Sequence, residues 1–168
     1  MLRLWAPWRR SYVESAEGRA GESGTCFLCA FPAENRDVER GILWRWRHWY
    51  ALLNAYPYTN GHVMLVLCRH HEGFCGLEPQ EAAELAPALQ QCEGAIRDAY
   101  RPEGLNLGVN LGRSAGAGAV GHLHIHIVPR WNGDTNFMTA VGDTRVLPES
   151  LTSSYARLHA AFDKLGTA

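Results

Sequence analysis

From Ile42 onward the hydrophobic positions fall into a β-like pattern. Trp49-Tyr50-Ala51-Leu52-Leu53 is a short apolar run, Asn54 to Gly61 (NAYPYTNG) is a turn-rich break, and His62 to Cys68 (HVMLVLC) is a second run of β-branched and long apolar residues. Two adjacent antiparallel strands joined by a loop are predicted. After Leu77 the period changes: Leu85, Leu89, Cys92, Ile96 and Ala99 recur at three- and four-residue steps, the mark of a helix with one buried face. Pro79 suits a first helical turn, and Glu78, Glu81 and Glu84 crowd the end where negative charge is favoured. Pro87 is expected to disturb the first turns or move the true start later, and Pro102 ends the helix. Leu105 to Leu111 (LNLGVNL) alternates as a third strand, Gly112 to Gly121 reads as a Gly/Ala loop, and Gly121 to Arg130 as a fourth strand that Pro129 ends or marks as an edge. Pro148 to Leu165 predicts a C-terminal helix with Leu151, Tyr155, Leu158 and Phe162 on one side. The sum is an α+β fold, a single domain in which helices pack on an antiparallel sheet.

Ahead of this pattern stand residues 1–25, read as an N-terminal arm and loop, with residues 26–168 as the catalytic domain. The loop, Ser15 to Thr25, is small, polar and Gly-rich. The arm carries Trp5, Trp8 and Tyr12, too many aromatics to leave in water, so packing on the body or on a second subunit is expected. The formal net charge of −1 offers no broad cationic field, which excludes long nucleic-acid polymers as partners and leaves room for a small anionic substrate. The first ten residues lack the apolar stretch of a signal peptide, and no apolar run is long enough to span a bilayer. A cytoplasmic location with no membrane partner is the expectation. Five unevenly spaced cysteines make a disulfide framework improbable, and Cys68, Cys75 and Cys92 are expected as buried thiols.

The strand reading His122-Leu123-His124-Ile125-His126 carries the candidate chemistry. Side chains alternate between faces of a strand, so the three histidines share one face and Leu123, Ile125 and Ile127 the other. Imidazole titrates near neutral pH, so its neutral form can attack phosphorus and its protonated form can donate. His122 and His126 stand roughly 13 Å apart at the backbone by the strand rise, so one phosphate cannot touch all three. A rival reading of the same residues is a catalytic zinc held by His122 and His124 at i, i+2.

The run His-Leu-His-Ile-His-Ile-Val, followed by Pro129-Arg130, resembles the signature of the histidine triad (HIT) superfamily of nucleotide hydrolases and transferases. Asn54 eight residues before His62, Asn110, and the loop Ser114 to Gly118 extend the likeness. Trp131 to Phe137 (WNGDTNF) and the opening Leu4 to Arg9 (LWAPWR) resemble a bacterial branch that includes diadenosine tetraphosphate phosphorylases. The resemblance implies that His124 attacks the α-phosphorus and forms a nucleotidyl-histidine intermediate, its other ring nitrogen bonded to the carbonyl of His122. It implies that His126 binds phosphate and aids the leaving oxygen and that His62 supports the triad. Asn54 would bond the ribose, Asn110 and the amides near Gly118 would contact phosphate, and Trp131 would close over substrate or serve as a core or dimer-interface aromatic. One departure is Ala117-Gly118 where the phosphorylases have Gly-Ser, which leaves the choice between hydrolysis and phosphorolysis open.

Cys26-Phe27-Leu28-Cys29 is a C-x-x-C, and two ligands do not make a zinc site. A thiol pair without metal and a redox pair are the other readings, the latter lacking its βαβ setting. By the resemblance, His70 and His122 complete a closed Cys₂His₂ set, giving a structural zinc that ties the N-terminal segment to the triad. His71 is expected to point away from His70, and His48 and His159 to be ordinary surface or packing histidines. The family also implies a homodimer or higher homo-oligomer. A zinc-dependent hydrolase and a non-catalytic nucleotide-binding module remain the alternative functions.

Overall fold

The computed structural model describes residues 26–119, 121–142, 144 and 146–166. The expectations for the arm, Trp5, Trp8 and Tyr12 included, lie outside the described residues. Five strands form one sheet: β1 (Ile42–Arg45), β2 (Trp49–Leu53), β3 (Val63–Leu67), β4 (Gly104–Gly108) and β5 (His124–Arg130). Their order is β1-β2-β3-β5-β4 and every pairing is antiparallel. The helices are α1 (Phe27–Ala33), the single turn α2 (Asp37–Arg40), α3 (Pro79–Tyr100), α4 (Phe137–Val141) and α5 (Leu151–Gly166).

The two apolar runs of the sequence are the central strands, and they are continuous because both their faces are covered. Trp49, Ala51, Leu53, Val63, Leu65 and Leu67 pack toward α3 and α5, meeting Cys92, Ile96, Leu158 and Phe162. Tyr50, Leu52, Met64 and Val66 face the other way, onto Leu28 of α1 and Ile42. Burying such side chains contributes about 1.5–3 kcal/mol each. Ile125 and Ile127 of β5, with Leu123 just before it, join the helix-side core, while His124 and His126 lie opposite Val66 and Met64 of β3, on the other face. The two-residue alternation thus holds for His124 and His126, whereas His122 lies in a bend before the strand, which starts at His124 and not at Gly121.

Polar bonds anchor α3. The Glu81 carboxylate, 3% exposed, accepts the backbone N–H of Glu78 at 2.8 Å and a two-pronged bond from Arg69 at 2.8 Å on each oxygen. This fork holds the segment just before His70 against the helix start. The capping glutamate therefore serves tertiary structure as well as the favourable charge at a helix N-terminus.

Several expectations need correction. Pro87 neither shifts nor breaks α3, which is continuous from Pro79. Pro87 and Ala83 are both exposed, so the carbonyl deprived of its partner faces water. The strand expected over Leu105 to Leu111 stops at Gly108, and Leu107 and Leu111 are exposed. Leu151 is exposed at the first position of α5, whose inner face is Ser154, Leu158, Ala161 and Phe162. Of the three thiols expected inside, Cys92 is buried while Cys68 and Cys75 are exposed, because Cys68 follows the last residue of β3 and Cys75 lies in a short turn before α3. Pro129 lies inside β5, opposite Leu105, beyond the last β3 pair at Ile127. Its carbonyl accepts from the Thr59 hydroxyl instead of a strand, so it occupies a local edge, as proline requires.

Candidate functional site

Three histidine rings meet at the open end of the β3–β5 pair. His62 Nδ1 accepts the backbone N–H of Tyr58 at 3.1 Å. A backbone N–H can only donate, so the neutral His62 ring carries its proton on Nε2. Nε2 lies 3.0 Å from His126 Nδ1 and donates to it, which leaves His126 with its own proton on Nε2. Burial, together with the charge of His124, lowers His126 to about 4, so this ring is neutral near pH 7. His126 lines the cleft described below.

His124 is held differently. Its Nδ1 lies 2.8 Å from the carbonyl oxygen of His122, where it must donate. The neutral ring therefore keeps a lone pair on Nε2. Burial lowers its pKa, partly offset by the carbonyl bond. The ring is 3% exposed. Among the described residues no buried side-chain nitrogen or oxygen lacks a partner, and Nε2 has no hydrogen-bond partner among them, so this atom retains access to solvent. The ring is core-like on its flanks and open at the one atom able to attack. Its edge meets His126, with ring centroids 5.0 Å apart.

The carbonyl that orients His124 belongs to a residue whose ring faces elsewhere. His122 Nε2 donates to the Leu67 carbonyl at 2.6 Å, which leaves Nδ1 unprotonated. Nδ1 lies 3.2 Å from Cys26 Sγ and 3.4 Å from Cys29 Sγ, and His70 Nδ1 lies 3.4 Å from Cys29 Sγ. The four donor atoms fall within 4.8 Å of one another. Ligands of a tetrahedral zinc stand about 3.5 Å apart, given its bond lengths, so the cluster has the right size. Cys26 caps α1 and Cys29 completes its first turn, its N–H bonded to the Cys26 carbonyl, and this puts both thiols on one side. Burial, then the adjacent Cys26, pushes Cys29 up to about 11. Two thiolates side by side are unfavourable unless a cation sits between them. The donor set thus fits zinc. The cluster includes His122 but not His124, so the i, i+2 pair does not converge on one metal. His71 turns away from it toward Gly76, as expected.

An open cleft of about 1670 Å³ borders the rings. Asn54, Asn110, His126 and Trp131 line it; His62, His124 and Gly118 do not. Asn54 Nδ2 lies 3.3 Å from His62 Nδ1, and its Oδ1 accepts the Tyr56 N–H at 2.9 Å. Trp131 is half-buried and meets Tyr100 edge-on at 6.3 Å. Gly118 lies half-buried in a bend of the loop after β4. His48 and His159 are half-buried, the latter beside Asp163. Sequence reasoning passed over Tyr58, whose ring lies 4.7 Å from His62 and 6.1 Å from His126. The tyrosines flanking Pro57, next to Asn54, were the available signal.

A β-sheet that carries histidines at alternate positions beside a cleft, the central one fixed by a backbone carbonyl, defines the histidine triad class. The HIT domain family model matches residues 35–133, and the chain belongs to that family. Over 158 residues the chain is 38% identical to the AP-4-A phosphorylase of Mycobacterium tuberculosis, covering 90% of this chain and 79% of that protein. Similar solved structures include a zinc-bound histidine triad family protein from Mycobacterium smegmatis, with TM-score 0.69 and 24% identity over 87% of this chain and 99% of that one. Another is a hypothetical histidine triad nucleotide-binding protein from Sulfolobus tokodaii, with TM-score 0.67 and 29% identity over 83% of this chain and 93% of that one.

Proposed function

We propose that this protein transfers a nucleotidyl group from a dinucleoside polyphosphate, diadenosine tetraphosphate in the first instance, through a covalent intermediate on His124; a nucleoside phosphoramidate is the alternative donor. The observation that carries this reading is the 2.8 Å bond from His124 Nδ1 to the His122 carbonyl, which commits the proton to one nitrogen and the lone pair to the other. His124 Nε2 forms a bond to the α-phosphorus as the bond from that phosphorus to the bridging oxygen breaks. The Nε2–H of His126 supplies a donor to the phosphate and to the leaving oxygen. His62 holds His126 in that tautomer. Asn54 bonds the ribose, Asn110 and the amides near Gly118 contact phosphate, and Trp131 closes over substrate. The acceptor then attacks the same phosphorus and releases the histidine. Water gives the nucleoside monophosphate, and inorganic phosphate gives the diphosphate. The likeness to an AP-4-A phosphorylase supports the substrate class.

Zinc is proposed as a structural ion held by Cys26, Cys29, His70 and His122. A closed four-ligand site leaves no position for an activated water, so its contribution is to fix His122 and hence the carbonyl on which His124 rests. Residues 26–168 are proposed as the catalytic domain and 1–25 as an appended arm. A homodimer is proposed, because β4 is an edge strand that exposes Leu107, and Leu111 is exposed in the loop that follows it. Five free cysteines, two of them exposed, suit a reducing cytoplasm. Among the described residues no helix is long and apolar enough to cross a membrane.

Incubation with diadenosine tetraphosphate, with and without inorganic phosphate, tests the reading. Monophosphate plus triphosphate indicates hydrolysis, and diphosphate plus triphosphate dependent on added phosphate indicates phosphorolysis. No product under either condition would remove this substrate.

A further inference from the structure

Much of the cleft wall comes from residues beyond the family match, which ends at residue 133. Leu147, Glu149, Ser153 and Arg157 line the cleft together with His126. There the guanidinium of Arg157 lies over the ring of Tyr100, its Cζ 5.2 Å from the centroid, within cation–π range. Glu149 clamps both partners: Oε2 accepts the Tyr100 hydroxyl at 2.7 Å, and Oε1 lies 3.1 Å from Arg157 Nη2. The ring is fixed from below as well. Gly61 has φ +77°, and a Cβ there would stand 2.5 Å from Tyr100 Cε2. The stack is therefore seated on the backbone immediately before His62.

The side chain of Arg157 is 52% exposed and its charge is already met by Glu149. It offers the cleft a flat, oriented, largely neutralised surface rather than a free cation. Purine bases stack on such guanidinium planes. The cleft that His126 and Arg157 share, at about 1670 Å³, also exceeds the roughly 300–1,000 Å³ of an ordinary small-ligand pocket.

We propose that Arg157, clamped on Tyr100, forms a subsite for the second base of a dinucleoside polyphosphate, the one on the leaving nucleotide. This rests on the reading that such a substrate reacts at His124. Arg157 is a specificity residue: it touches the half of the substrate that departs and leaves the attacked phosphorus alone.

The test compares diadenosine tetraphosphate with adenosine 5′-tetraphosphate, which has the same number of phosphates and one nucleoside fewer. Dissociation constants are measured on the full chain. Wild type is expected to prefer the two-base ligand by on the order of tenfold, the usual worth of one stacked base. Arg157→Ala abolishes that preference without weakening the one-base ligand. Arg157→Lys, which keeps the charge and loses the plane, does not restore it. The subsite is overturned if wild type shows no preference, if Arg157→Lys restores it, or if Arg157→Ala weakens both ligands equally, as loss of charge or of structure would do. Turnover is recorded separately on the same samples. Failure at His124 then shows as absent product, while the ratio of dissociation constants still reads the subsite.

Discussion

The backbone carbonyl of His122 accepts from His124 while the ring of the same residue turns to Cys26 and Cys29. One residue thereby links a metal-sized cluster to the atom proposed as nucleophile. His124→Ala is expected to lower turnover by about 10³-fold or more while circular dichroism and zinc content stay at wild-type values; turnover persisting in such a sample removes the mechanism. His62→Ala leaves the nucleophile in place and frees His126 to change tautomer. Its effect is expected in kcat, about 10²-fold, the scale of losing one oriented donor to a developing charge, with KM nearly unchanged. A change confined to KM would assign His62 to binding.

At the scale of elements, the carboxylate joining the start of α3 to Arg69 sets an acid limit on stability. Its bond to Arg69 holds Glu81 at about 2, well below the ordinary 4.5. The unfolded chain takes up this proton first as pH falls. The stabilisation is therefore full above pH 4.5 and is lost progressively toward pH 2. Glu81→Gln should cost about 1–3 kcal/mol at pH 7 and flatten the stability profile between pH 4.5 and 2; an unchanged slope in urea titrations across that window would refute the coupling. Elements whose burial is simple were legible in the sequence. β2 and β3 read as apolar runs because both faces are covered, and β5 as an alternation because its two faces do different work. Errors arose where position in the sheet or beside solvent overrides local pattern. Leu107 alternates correctly yet lies on an edge, Pro87 sits where water replaces the lost bond, and Leu151 falls one turn before α5 meets the core. In the candidate site, the histidines and the Cys26-to-Cys29 pair are marked by residue type and spacing. Tyr58 is marked only by its place beside Pro57 near Asn54, and Glu149 and Arg157 are not marked, because their places depend on how α3, α5 and the segment before α5 are assembled in three dimensions.

For the whole molecule, the Cys26, Cys29, His70 and His122 cluster joins α1, the segment after β3 and the approach to β5. Zinc there would cross-link parts of the chain far apart in sequence and bind the folded state alone. Chelation is expected to lower Tm by about 5 °C or more and to reduce activity in step with unfolding of the N-terminal segment; loss of activity with no change in Tm would instead favour a catalytic metal. The most direct test of covalent transfer is mass spectrometry of the protein acid- or base-quenched during turnover of diadenosine tetraphosphate, using the quench that preserves a phosphorus–nitrogen bond. One adenylyl group on the peptide carrying His124, absent from His124→Ala, is the predicted result. Steady turnover with no adduct on that peptide, or with the adduct on another residue, would contradict it.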